Sequence, residues 1–490
     1  MDYKKCPVKA IRQKLNFDPN KSRVITKLFG LEKFRIYKVF ERILNLNDSE
    51  IKHMLENVIN NFEHRHMNIQ RIFKDNFDKI NSQLDVTIYY DLPLYIKLLI
   101  GSYFTLEYSI ESAALFNPSI VPHPNQGNLA EGELRAIISF RAVGEGHMSS
   151  IVFRGGILSK NGDIKMDENS HLVEMAKVIP DATYFKKDFI LKLQDLGKYE
   201  IVKKILDELL DEFTFEELDK SIKKFRKENP QTVDHDRAIE TLYWLERSNY
   251  EMEFNSNIHL TERVIFPRST TDIKAIEDAR FVYFTEEDGS KKYYATYTAY
   301  NGFSILPQLI ETRNFYRFRI STLLGAGSQN KGMALFPEKI NGKYAMISRN
   351  DSENMFIMFS DNIHYWENPK LIREPKYPWQ FMQIGNSGSP LKTEKGWLLL
   401  THGVGPVRIY SIGAILLDIE DPTKIIGEIK DPILIPEEKE RNGYVPNVVY
   451  SCGGIIHNDY LVLPYAMSDS RSGIVKYKIK DILDKIKPVS

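Results

Sequence analysis

The stretch "AIEDARFVYFTEEDGSKKYYATYTAYNG", residues Ala275 to Gly302, sets two β-rich runs around the turn Glu286-Glu287-Asp288-Gly289. Just ahead of the first run stand Glu277, Asp278 and Arg280. Two acids and an arginine at the mouth of a strand admit two readings. One is a solvated strand entry held by a local ion pair. The other is a carboxylate tuned for catalysis by a neighbouring guanidinium. The stretch alone leaves both open.

Working outward, the same texture recurs. A first unit runs "FNPSIVPHPNQGNLAEGELRAIISFRAVGEGHMSSIVFRGG" from Phe116. After the opening stretch come "MALFPEKINGKYAMISRNDSENMFIMFSDNIHYWE" from Met333, "GSPLKTEKGWLLLTHGVGPVRIYSIGAILLDIEDP" from Gly388 and "YVPNVVYSCGGIIHNDYLVLPYAMSDSRSGIVKYKI" from Tyr444. Each opens on a polar residue or Pro, enters a strand, turns at Gly, Asn or Lys, and returns. The later starts recur about every 55 residues, the period of four-stranded propeller blades. Blade starts then converge on one channel, so Asp278 is expected to face the same funnel as Asn117, Pro337, Ser389 and Asn447.

Two helical blocks flank this pattern. "DSEIKHMLENVINNFEHRHMNIQRIFKDNFDKI" starts with an Asp/Ser cap and a Glu three residues after Asn47, then has apolar residues at three-and-four spacing. Its histidines His53, His64 and His66 have no carboxylate constellation around them, and no metal site is expected. A second amphipathic block, "KKDFILKLQDLGKYEIVKKILDELLDEFTFEELDKSIKKFRKENP", separates the first two β units and reads as packing or interface helices with solvated charged faces. The expected organisation is mainly β: a helical N-terminal extension over 1–107, then a five-bladed β-propeller over 108–490, with a helical insertion at about 183–250 between blades one and two.

The bulk numbers narrow the class. The chain has 490 residues, with 66 Lys plus Arg against 66 Asp plus Glu, so no global field draws it to nucleic acid or an anionic membrane. Its two cysteines, Cys6 and Cys452, make no disulfide framework. The first residues lack the apolar core of a secretory signal, and apolar runs such as "YIKLLIGSYF" are too broken to span a bilayer. A cytoplasmic protein is expected, with a homo-oligomer through the helical segments as an open option. No nucleophile elbow supports a serine hydrolase, and "GVGP" is too short for a dinucleotide fingerprint.

Four segments in order, "IEDARF…YYATYTAYNG", "NKGMALFPEKINGKYAMISR", "GWLLLTHGVGPVRIYSIGAILLDIEDP" and "GYVPNVVYSCGG…LVLPYAMSD", resemble glycoside hydrolase family 130. That family holds β-mannoside phosphorylases and related β-mannosidases on a five-bladed propeller. The resemblance runs from about Ser112 to Lys487, the helical insert apart. It implies inverting cleavage of β-1,2- or β-1,4-linked manno-oligosaccharides, with inorganic phosphate as co-substrate and no other cofactor. It implies that Asp278 of Glu277-Asp278-Ala279-Arg280 is the general acid, acting through the sugar 3-hydroxyl. Ala279 stands where the family usually has Pro.

Hydrolysis with inversion needs two carboxylates, an acid and a base for water. Phosphorolysis needs one, because phosphate is already an anionic nucleophile held by a basic cradle. The resemblance implies that Lys331, His402 and Arg408 form this cradle, with Tyr410 on the same strand and Arg349 as a further member. "ILPQLIET" lacks an arginine many family phosphorylases carry there, and Arg313, Arg317 or Arg319 are its possible stand-ins. In a hydrolase, Glu338 or Glu311 would be the base. For sugar binding, the resemblance points to Asn117, Ser119 and Asp469, alongside Glu277 and Arg280. Arg141 and Arg154 flank the loop bearing Glu145 and His147 and are candidates for the neighbouring sugar. Tyr300 and Tyr444 are candidate platforms. Phosphorolysis is favoured over hydrolysis, and a non-catalytic carbohydrate-binding propeller is the distant alternative.

Overall fold

Most of the chain is built from antiparallel hairpins whose strands are buried on both faces. The run Gly396–Val404, "GWLLLTHGV", is buried throughout, and Ala114–Pro122 is buried except at its end. Such strands read as continuous apolar runs because apolar layers cover both sides. The structure, a computed structural model, describes residues 6–84, 89, 91–179, 183–230, 232–268, 274–300 and 305–489. The Asn301-Gly302 end of the stretch that opened the sequence reading lies outside them.

The fold is mainly β. A first sheet pairs Ala114–Pro122, Leu134–Val143 and Ser149–Leu158, with Ile164–Met166 at its edge. A second pairs Ala275–Thr285, Lys291–Tyr300, Ile305–Thr312 and Arg317–Thr322. A parallel pair, Ala275 with Ser149, joins these two. A third pairs Lys331–Leu335, Tyr344–Arg349, Met355–Ser360 and Lys370–Arg373. A fourth pairs Gln383–Asn386, Gly396–Val404, Tyr410–Leu417 and Ile425–Glu428. The fifth pairs Val449–Tyr450, Tyr460–Met467 and Arg471–Lys478, and its outer strand is Ile11–Phe17 from the N-terminal region. Thus 1–107 carries strands as well as helices, because Val24–Leu28 also pairs with Thr105–Ser109. Short apolar runs there do not separate from helix by periodicity alone.

Apolar cores lie between successive sheets. Phe153, Phe281 and Phe318 pack between the first and second, and Val282, Met346 and Trp366 between the second and third. Phe336, Trp397 and Ile415 fill the next gap, and Leu400, Leu463 and Tyr477 the one after it. Phe140, Ile138 and Ile474 then pack the fifth sheet back onto the first.

Helices Lys33–Leu44, Asp48–Phe62, Ile69–Asn81 and Leu94–Tyr103 form one cluster around Phe40, Phe77 and Leu99. The Asn47 cap is a capping box: Asn47 accepts from the Glu50 amide at 3.0 Å, and Glu50 accepts from the Asn47 amide at 2.9 Å. Helices Lys186–Asp195, Tyr199–Asp207, Phe215–Glu228 and Val233–Ser248 form a second cluster around Leu206, Leu218 and Leu242. This cluster touches the β part where Asp195 accepts from the Gly325 amide at 2.9 Å and Asn249 from the Thr322 amide at 2.8 Å.

Among the described residues no helix is long and apolar enough to cross a membrane. His66 bonds Glu107 at 2.8 Å beside Arg65, and His53 contacts Asn57.

A buried charge cluster ties the N-terminal region to the first sheet. Glu111 accepts from Arg154 at 2.7 Å and lies 2.8 Å from Arg23, and both the Arg23 and Glu111 side chains are fully enclosed. Replacing Glu111 with Ala leaves two guanidinium groups enclosed without their carboxylate. The expected loss is about 3–5 kcal/mol, read from urea unfolding followed by tryptophan fluorescence. A loss below about 1 kcal/mol would mean that the carbonyls around Arg23 and Arg154 satisfy both cations alone.

Candidate functional site

The same backbone device opens three of the five sheets. The innermost strands break register between Phe116 and Ser119, between Glu277 and Arg280, and between Lys331 and Ala334. In each break the second residue is left-handed: Asn117 at φ 48°, Asp278 at φ 55° and Gly332 at φ 85°. Asn, Asp and Gly are the residue types that enter this region at least cost. A bulge of this kind turns a side chain out of the regular pleat. Pro118 follows Asn117 at the place Ala279 takes after Asp278, so the ring is dispensable where the bulge is already fixed by pairing.

Because the first two of these strands are neighbours, the bulged side chains meet. Asn117 Nδ2 donates to Asp278 Oδ1 at 2.7 Å. Arg141 spans both acids, donating to Glu277 at 2.9 Å and approaching Asp278 at 3.5 Å, with its guanidinium over the Phe116 ring. Lys331 donates to the other Glu277 oxygen at 2.5 Å. Arg280 donates to the Asp278 carbonyl at 2.9 Å and to the Tyr450 hydroxyl at 2.6 Å. Burial pushes the Asp278 carboxyl up, but Arg141, Arg280, Asn117 and Lys331 together outweigh it and hold it below the usual carboxylate range.

A basic wall faces these acids. Lys331 and Arg349 are cross-strand partners, and Arg349 Nη1 lies 3.4 Å from His402 Nε2. His402 Nδ1 is 3.1 Å from the Asn386 carbonyl, which only accepts, so Nδ1 carries the proton and Nε2 keeps its lone pair. Burial, then Arg349 and Arg280, hold His402 neutral, well below the ordinary histidine range. Tyr450 meets the imidazole edge-on at 4.9 Å and Tyr410 stacks at 6.1 Å.

Asp469 completes the acidic side. It is left-handed at φ 50°. Burial and then the Asp278 charge push its carboxyl up to about 6, against Arg141 and Arg408.

Other candidates fall elsewhere. Arg408 sits exposed in a turn, its charge felt by Asp469 and not part of the group around His402. Ser119 is fully enclosed and bonded to the Phe281 backbone, because past the bulge the pleat points it into the sheet interface. Arg154 is committed to Glu111 and the Phe153 carbonyl and does not join Arg141. Tyr300 ends its strand opposite Ala275, two residues from Glu277 along the ladder. Tyr444 is exposed with its ring 5.2 Å from His147. Pro337 and Ser389 line a separate cavity with Tyr283 and Ile455, at the other end of the inner strands.

Neither glutamate considered as a hydrolytic base is near Asp278. Glu338 pairs with Thr285 and holds Lys392 at 2.5 Å. Seven residues of strand separate Thr285 from Asp278, roughly 20 Å. Glu311 lies on the third strand of its sheet near Lys292. Arg317 bonds Glu251, and Arg319 covers Phe185, so neither replaces the missing arginine.

Tyr450 and Asn386 were missed. Their signals were position alone: Tyr450 ends the inner strand of the fifth unit, and Asn386 sits beside the two glycines of "GNSGSP". Among the described residues, Asn117 Oδ1, Arg141 Nε, Arg280 Nε, Arg349 Nε and Asn386 Oδ1 are enclosed without a protein partner. Such atoms mark a site built to receive a polar ligand.

A family model described as β-1,4-mannooligosaccharide phosphorylase, glycoside hydrolase 130, matches residues 215–488. A 1,2-β-oligomannan phosphorylase of Thermoanaerobacter sp. (strain X514) is 43% identical over 155 residues, 31% of this chain and 52% of that one. A β-1,2-mannobiose phosphorylase of the same strain is 40% identical over 200 residues, 39% of this chain and 65% of that one. The chain thus spans between half and two thirds of the length of these relatives. A solved β-1,2-mannobiose phosphorylase from Listeria innocua, in complex with β-1,2-mannobiose, overlays at 22% identity with a TM-score of 0.45, over 76% of this chain and 92% of that one.

The raised Asp469 carboxyl gives a stability prediction. The folded state takes up a proton at Asp469 near pH 6, where the unfolded chain stays ionised down to the ordinary carboxylate range. Its charge therefore costs stability above pH 6, and that cost fades as pH falls. Asp469→Asn is expected to stabilise by about 1–2 kcal/mol at pH 8 and by about a third of that at pH 4.5, read from denaturant midpoints at both pH values. An equal effect at both would show that Asp469 is solvated.

Proposed function

The chain belongs to glycoside hydrolase family 130, and from that membership we propose that it cleaves β-mannosides by phosphorolysis, with inversion, to α-mannose 1-phosphate. The carrying observation is the basic wall of Lys331, Arg349 and His402 opposite Asp278, with Glu338 and Glu311 both engaged elsewhere. The two Thermoanaerobacter relatives are phosphorylases, which supports the same choice. The five sheets are read as the blades of a five-bladed β-propeller. The apolar cores between successive sheets, including fifth onto first, support that reading, as does the N-terminal strand in the fifth sheet. A reducing, cytoplasmic setting is supported by two cysteines that are both free.

Phosphate lies against Lys331 and Arg349. The neutral His402 accepts, through Nε2, the hydrogen of monohydrogen phosphate, so a phosphate oxygen is bare toward the sugar. Asn117 and Asp469 hold sugar hydroxyls. The proton of Asp278 passes through the 3-hydroxyl to the leaving oxygen as the phosphate oxygen bonds C1 and the glycosidic bond breaks. Asp278 ends as a carboxylate.

This acid must be protonated to act, yet its surroundings favour the ionised form. Bound phosphate resolves the conflict. Its negative charge beside Lys331 and Arg349 counters the cations that depress Asp278 and lifts its pKa. The acid is then armed only when the nucleophile is present.

Products from β-1,2- and β-1,4-mannobiose, with and without phosphate, test the reaction. Turnover is expected only with phosphate, yielding α-mannose 1-phosphate. Equal rates without it and free mannose as product would make the chain a hydrolase. Asp278→Asn is expected to lose at least about a thousandfold in kcat while remaining folded. Coupling is read from pH profiles of kcat/KM for the mannoside. The alkaline midpoint should rise as phosphate goes from trace to saturating, and a fixed midpoint would refute the arming step.

A further inference from the structure

The three bulges match residue for residue. Phe116, Glu277 and Lys331 precede the break, Asn117, Asp278 and Gly332 take the left-handed position, and Pro118, Ala279 and Met333 follow. At the first two, the left-handed residue puts a side chain into the site. At the third there is none to put. The backbone does not ask for glycine, because Asn and Asp hold left-handed backbone at the two equivalent positions. Crowding does not ask for it either. A Cβ added at Gly332 would lie 3.8 Å from Arg349 Cβ and 3.9 Å from Asn386 Oδ1, both ordinary contacts. At Gly385, on the inner strand of the fourth sheet, the same addition would stand 2.5 Å from the His402 ring. Gly332 is nevertheless buried, so the room beside it is enclosed.

Two cations and an amide border that room. Lys331 is the preceding residue, and Arg349 is its cross-strand partner. Asn386 is fully enclosed, and its Nδ2 donates to the Gly388 carbonyl at 3.3 Å. That bond leaves Oδ1 as the atom facing Gly332, enclosed and without a protein partner. Arg349 Nε is enclosed and unmet as well. A buried guanidinium N–H and a buried amide oxygen, both unmet, call for a ligand that accepts one hydrogen bond and donates another. Beside Lys331 and Arg349 that ligand is an anion.

We infer that Gly332 selects the nucleophile: the room left by its missing side chain, between Lys331, Arg349 and Asn386, seats an oxyanion that carries hydrogen. The inference rests on the phosphorolysis reading above and names the position that decides it. Phosphate near neutral pH carries hydrogen for Asn386 and His402, whereas sulfate has the same shape and carries none. A side chain at 332 takes up the seat and leaves Asp278, Asn117 and Asp469 in place.

The test compares the parent with Gly332→Asn, which brings in the residue type that the first bulge already carries. In phosphorolysis of β-mannobiose, the variant's KM for phosphate is expected to rise at least about tenfold, with its KM for mannobiose within about twofold. Phosphate alone should raise the parent's melting temperature and move the variant's much less. A purely structural glycine would instead lower the melting temperature and kcat and leave both KM values in place. Sulfate supplies a measurement that needs no variant. Its inhibition constant against phosphate in the parent should lie at least about tenfold above the phosphate KM. A folded variant with an unchanged phosphate KM overturns the role of Gly332, and sulfate that competes as well as phosphate binds overturns the role of Asn386. Equal parent rates with and without phosphate overturn the phosphorolysis reading; a phosphate-induced rise in melting temperature, larger in the parent than in the variant, would then still uphold the seat, and no rise in either would remove it.

Discussion

The left-handed bulge on the innermost strands is the constraint from which the site follows. A regular strand alternates its side chains, so Glu277 and Asp278 would point to opposite faces. The extra residue breaks that alternation and lets both acids meet Arg141. The same break in the neighbouring strand turns Asn117 to meet Asp278. Repeating it in the third sheet sets Lys331 within reach of Glu277. Three sheets thus contribute one polar network because they share one irregularity. The residue types at the irregular position are those whose backbone tolerates it.

Two buried charge clusters in this protein illustrate opposite uses of the same chemistry. Around Glu111, Arg23 donates to the Asn169 side chain and to the Ser170 and Thr261 carbonyls, while Arg154 donates to the Phe153 carbonyl. That cluster fastens the N-terminal region, with Arg23 Nε 2.8 Å from Glu111. Around Asp278 the ion pairs also compensate one another, yet polar atoms of Asn117, Arg141, Arg280, Arg349 and Asn386 are enclosed without a protein partner. Enclosing such groups is costly, and a fold retains the cost where a ligand supplies the missing bonds.

The sequence made the repeat visible because hairpin texture and polar strand starts survive divergence. Asn117 and Asp278 stand at the same point of their units, whereas Lys331, Arg349 and His402 were read from the family resemblance and lie at different points of theirs. What the sequence concealed was direction. Ser119 lies two residues from Asn117, and only the bulge between them decides which of the two faces the site. Arg154 was read beside Arg141 from a shared loop, but it lies further along its strand and meets a glutamate forty-three residues away. Pro337 and Ser389 looked like strand starts but follow the inner strands Lys331–Leu335 and Gln383–Asn386, so they line the cavity at the far end. The N-terminal strand Ile11–Phe17 was hidden for another reason: its partner Arg471–Lys478 lies at the far end of the chain.

Strain separates the parts that can vary from those that cannot. At the bulges, left-handed backbone is imposed by pairing on both sides, so the residue there is limited to Asn, Asp or Gly and the chemistry is fixed with it. At the outer turns, the closing hydrogen bond leaves the tip free of neighbours: nothing lies within 4 Å of a side chain added at Gly146. A residue placed there changes what the rim touches without disturbing the strands beneath. The same left-handed backbone carries glycine in the turn after the strand of Arg141 and valine in the turn after the strand of His402. A fold arranged this way can keep the polar network around Asp278 while its turns are exchanged, and the cost of an unfavourable tip is confined to the tip.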